Sequence, residues 1–98
     1  MASSKDYLIY VLDLLREVNG ISYKKMMGEY ILYKDNIIFG GIYDNRFLVK
    51  KSEYTNSLNL KEIIPYPTSK GMYLVDSENS EEIAEIVYKL YQDLIKPQ

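Results

Sequence analysis

The chain has 98 residues, 47% of them hydrophobic and 27% charged, with a formal net charge of −2; that describes one globular domain with a single core and, taken whole, no polyanion binder. It has no cysteine and no histidine, which excludes disulfides, thiolate metal sites, thiol nucleophiles and the commonest general base. No apolar run approaches the ~20 residues of a membrane-spanning helix and the start lacks a signal-peptide pattern, so a cytoplasmic protein without a membrane partner is expected.

Residues 4–18 are predicted to be helical. Tyr7, Leu8, Val11, Leu12, Leu15 and Val18 recur at the three-and-four spacing of one apolar stripe. Ser3 with Asp6 gives a capping-box-like start, and Asn19-Gly20 a left-handed stop. A first strand is expected over 21–27, with Gly28 as a bulge or turn. Strands over 29–34, 37–43 and 46–51 follow, joined by two-residue turns at Asp35-Asn36 and Asp44-Asn45, whose side chains tolerate positive φ. Gly40-Gly41 lies inside a strand and signals a bulge or a close backbone approach rather than a dinucleotide loop. Residues 52–60 are weakly helical, and Pro65-Tyr66-Pro67 breaks regular structure before a last strand over 72–76. Asn79 or Ser80 caps a closing helix with Ile83, Ile86, Val87, Leu90, Tyr91 and Leu94 on one face. The expected fold is one α+β domain over 1–98, order α-β-β-β-β-α-β-α, an antiparallel meander with both long helices on one face.

Strict side-chain alternation sorts the meander into two faces. Ile31, Tyr33, Ile38, Gly40, Ile42, Phe47 and Val49 should lie under the helices. Tyr30, Leu32, Lys34, Ile37, Phe39, Gly41, Tyr43, Arg46, Leu48 and Lys50 should lie on the other side, a mixed surface too apolar to be plain solvent surface. Three readings of it are open. Residues 52–71 fold over it; a homodimer or protein partner covers it; or it is a platform for single-stranded nucleic acid, with Tyr30 and Phe39 stacking and Lys34, Arg46 and Lys50 meeting phosphates. The candidate interaction residues are Lys25, Tyr30, Phe39, Arg46 and Lys50. Charge is unevenly placed: 24–51 carry six basic side chains against three acidic, and 76–96 six acidic against two basic.

No nucleophile elbow or phosphate loop is present. The acidic stretch 76–82 lacks the glycine and spacing of a calcium loop and is expected to cap the last helix. No catalytic, cofactor or metal residue is singled out, and the chain is expected not to be an enzyme.

Lys25, Met26, Gly28, Tyr30, Leu32, Tyr33, Asp35, Phe39, Gly40, Asp44, Leu48 and Lys50, followed by Pro65-Tyr66, Gly71 and a terminal helix, form an ordered set that resembles the N-terminal domain of the TfoX/Sxy family. The resemblance runs from about residue 5 to 95; Glu29 stands where many members carry a second glycine. It implies a two-layer α/β domain and a single-domain member without the helical C-terminal domain of the full-length regulators. It also implies a role in transcriptional control of bacterial competence beside the cyclic-AMP receptor protein.

Overall fold

The computed structural model describes residues 2–96. The elements are α1 (Lys5–Leu14), β1 (Ile21–Met26), β2 (Glu29–Lys34), β3 (Ile37–Ile42), β4 (Phe47–Val49), α2 (Glu53–Asn56), β5 (Glu62–Ile63), β6 (Met72–Leu74) and α3 (Ser80–Ile95). The expected α+β order holds, with β5 added before the last strand. All six strands join one antiparallel sheet in the order β1-β2-β3-β4-β6-β5.

Ser4, not Ser3, caps α1, its side chain accepting from the Tyr7 N–H at 3.1 Å. The helix closes at Leu14, earlier than the stripe predicts, yet Leu15 and Val18 stay buried in the turns that follow. Asn79 caps α3 through the Glu82 N–H. Both Asp-Asn turns have positive φ at each central residue, as two-residue hairpins of right-handed twist require. A third such turn joins β1 to β2 at Met27 (φ 52°) and Gly28 (φ 82°), so Gly28 is a turn and the first strand ends at Met26.

One irregularity re-sorts the faces. Tyr33 pairs with Ile38, but Leu32 pairs with Gly40, so Phe39 is an extra residue in β3. A bulge of this kind inverts alternation on one side of it relative to the other. Beyond it the expected faces hold, with Ile42, Phe47 and Val49 turned toward the helices. On β2 they are reversed. Tyr30 and Leu32 pack in the core with Leu8, Val11, Ile83, Val87 and Leu90, and Phe39 joins them at 0% exposure. Ile31, Tyr33 and Ile38 turn outward instead. Gly40-Gly41 marks this place: a Cβ at Gly40 would strike the Leu48 carbonyl oxygen, so β4 packs closely against bare backbone.

The chain start is tied into the sheet. The Ser3 N–H donates to the Gly28 carbonyl at 3.0 Å, and the Ser4 N–H to Asn45 Oδ1 at 2.9 Å. The Ser3 hydroxyl donates to Glu29 Oε1 at 2.6 Å and accepts from the Asn45 N–H at 3.0 Å. Glu29 also takes the Asp44 N–H, at 3.1 Å to Oε2. Two hairpin tips and the first residues are therefore locked at one end of the sheet.

Candidate functional site

The side of the sheet away from the helices is where exposed apolar side chains gather. Half-buried Ile31 reaches it from β2 and exposed Ile38 from β3, Met26 from the edge strand, and Met27 from the adjoining turn, where it is 96% exposed. Leu48 also points to this side and is fully buried, although it lies outside the core cluster. The segment after β5 crosses here, with the Tyr66 ring 6.2 Å from the Tyr43 ring at 54°. Cover by residues 52–71 is thus realised in part: this crossing accompanies a buried Leu48, while Met26, Met27, Ile38, Ile64 and Tyr66 stay exposed.

Two open clefts flank the Tyr43–Tyr66 pair, and both rings line both clefts. One, of about 530 Å³, is walled by Met26, Met27, Ile31 and Pro65, with Ala2 and Glu29 at its margin. The other, of about 370 Å³, is walled by Ile38 and Met72 and carries Lys50, Lys51 and Lys70. Lys51 pairs with Glu62, whose hydrogen bond is the chief cause of its raised pKa. Among the described residues, neither Lys50 nor Lys70 has an acidic side chain at ion-pair distance. Burial, then the neighbouring Tyr66 and the Glu29 charge, push the Tyr43 hydroxyl above the usual tyrosine range, so it stays protonated at neutral pH.

The five candidate residues do not share one face. Arg46 and Lys50 lie on the outer side, Arg46 donating from Nε to the Tyr43 carbonyl at 3.3 Å. Tyr30, 5% exposed, and Phe39 belong to the core, so neither ring is available to a partner. Lys25 pairs with Tyr30 across β1 and β2 and is exposed on the helix side of the edge strand. The stacking platform for nucleic acid loses Tyr30 and Phe39, and Lys34 as well, which is 4% exposed. The bulge explains each displacement on β2 and at Phe39.

Sequence reasoning passed over Tyr43 and Tyr66, the methionines of the first turn, and Lys70. Tyr43 was on the correct face and Pro65-Tyr66-Pro67 stood out as a break, but no local pattern says which surface such a segment crosses. The gathered groups offer apolar area, three ammonium groups and two phenols, which suit recognition. Among the described residues no cluster of carboxylates is placed to hold a metal ion, and no helix is long and apolar enough to cross a membrane. Compared with known proteins, the chain matches no protein-family model and no curated protein.

Proposed function

We propose that this chain is a non-catalytic interaction domain of the TfoX N-terminal type, which docks a protein partner or a second copy of itself on the outer face of its sheet. The observation that carries the reading is the exposed apolar group of Met26, Met27, Ile38, Ile64 and Tyr66 on and beside one face of a small domain. Apolar patches of this kind mark contact surfaces, and methionine and tyrosine are favoured there because one adapts and the other combines a broad apolar body with a polar tip. The resemblance adds a setting: control of competence genes in the cytoplasm, in company with a transcription factor.

The test combines sizing by light scattering, pull-down from a lysate of the source organism, and an Ile38→Glu variant. Ile38 is exposed, so the variant should melt close to wild type. Self-association or partner capture that disappears in Ile38→Glu is the expected result. Association that survives the change, or a wild-type protein that stays monomeric and captures nothing, would remove the reading.

A further inference from the structure

We infer that the outer face takes an extended peptide segment of mixed character, an apolar anchor seated in the methionine cleft and acidic side chains meeting Lys50 and Lys70 across the Tyr43–Tyr66 pair. This rests on the reading of that face as an interaction surface and names the chemistry of its occupant. The two clefts are opposite in kind. One offers Met26, Met27, Ile31 and Pro65, the other Lys50, Lys51 and Lys70. They share the same two tyrosines and so lie on either side of one aromatic divide rather than on separate surfaces.

The charge is what selects the occupant. Glu62 already occupies Lys51, which leaves Lys50 and Lys70 to attract an anionic group from outside. At the other end, Glu29 is held in place by Ser3 and the Asp44 N–H and lines the margin of the apolar cleft. A polyphosphate backbone laid along the face would have to pass that carboxylate, whereas a peptide can present a neutral apolar residue there and its acids further on. Closed pockets suit small ligands, but here Met27 and Tyr66 form exposed lips, which suits a chain that enters and leaves. Both clefts border the same pair of rings, so one short extended segment can reach from the methionines to the lysines.

The experiment is selection from a phage-displayed random peptide library, about twelve residues long to span both clefts, against the folded protein. Enriched peptides are then titrated against wild type, Lys50→Glu/Lys70→Glu, Met26→Ser/Met27→Ser and Ile38→Glu, each checked by thermal melting. The altered lysine and methionine side chains are all exposed, so these variants should fold. The inference expects peptides that pair a Leu, Met or Phe with nearby Asp or Glu. Binding should fall about tenfold in the lysine and methionine variants and weaken as salt rises from about 50 to about 500 mM.

Apolar peptides without acids, bound equally by Lys50→Glu/Lys70→Glu but lost in Ile38→Glu, would overturn this inference and leave the interaction surface standing. No enrichment, with self-association or lysate capture still sensitive to Ile38→Glu, would do the same. No enrichment and no such association would remove both. Tight binding of a single-stranded oligothymidylate that displaces the peptides, lost in Lys50→Glu/Lys70→Glu, would assign the lysines to nucleic acid and overturn the peptide.

Discussion

The ammonium nitrogen of Lys34 lies 4.7 Å from the centre of the Tyr88 ring and donates to the Asn19 carbonyl at 2.9 Å. The Tyr91 ring flanks it at 4.9 Å, and the Asn19 N–H donates to the Tyr88 hydroxyl at 3.1 Å. One lysine thus ties the end of β2, the turn after α1 and the middle of α3. Lys34→Ala should cost about 2–4 kcal/mol through the lost hydrogen bonds to the Asn19 carbonyl and to Asp35 Oδ2, the ring contacts and the packing. Lys34→Met should recover only the packing part. Urea denaturation of both variants checks the order, and equal midpoints for wild type and Lys34→Ala would show that the tie contributes nothing.

Phe39 is a core residue, which changes what its substitution does. Phe39→Ala should destabilise by about 3–5 kcal/mol, and Phe39→Asp, which buries a carboxylate, should not fold at all. Thermal melting followed by circular dichroism decides it. A well-folded Phe39→Asp would place the ring outside the core.

Glu29 is bound by the Ser3 hydroxyl and the Asp44 N–H. Glu29→Ala removes the acceptor for both, and a loss of about 1–3 kcal/mol is expected. Ser3→Ala should lose less, and the double variant should lose less than the sum because the two act in one network. Strict additivity in denaturant melts would mean that the two groups do not cooperate.

Asp93 Oδ2 accepts the Tyr54 N–H at 2.8 Å and so holds the start of α2 against α3. That backbone donor, followed by Ser52 and with help from Lys96, holds the Asp93 carboxyl below the usual aspartate range. A depressed pKa in the folded state means that the unfolded chain takes up the proton first. The stabilisation is full above the ordinary aspartate pKa and is lost as pH falls through the lower folded value. Asp93→Asn should therefore be less stable than wild type at pH 7, and the gap should narrow below about pH 4. A gap that is constant with pH would show that the charge is not what matters.

The two Asp-Asn turns, the apolar stripes and the element order were legible because each is a local matter: two residues set a turn, and one period sets a helix face. The faces of β2 were not, because alternation counts residues and assumes none is extra. Phe39 breaks that count, and every assignment on the far side of it changes sign. Gly40-Gly41 was the visible trace of the bulge, but two glycines do not say which neighbour becomes the supernumerary residue. Arg46 and Lys50, beyond the bulge, were placed correctly, while Tyr30 and Phe39, on or before it, were not. The crossing of Tyr66 depends on contacts between residues far apart in the chain, and Ser4 displaced Ser3 as the cap because Ser3 is engaged by Glu29 and Asn45.

In the sheet, β4 has β6 and not β5 as its neighbour, so the sheet beyond the β1–β4 meander cannot be completed in the order in which it is synthesised. When β1 to β4 have left the ribosome, the edge that β6 will fill is still open. The inner surface bearing Leu32, Phe39 and Val49 still lacks α3, which follows β6 in the chain and contributes Ile83, Val87 and Leu90 to the core. A nascent chain paused with β4 emerged and α3 still enclosed would expose both an unpaired strand and an uncovered hydrophobic layer, the two hazards that recruit chaperones or lead to aggregation. The speed with which β6 and α3 follow would then bear on how much of the chain reaches the folded state, apart from how stable the finished domain is.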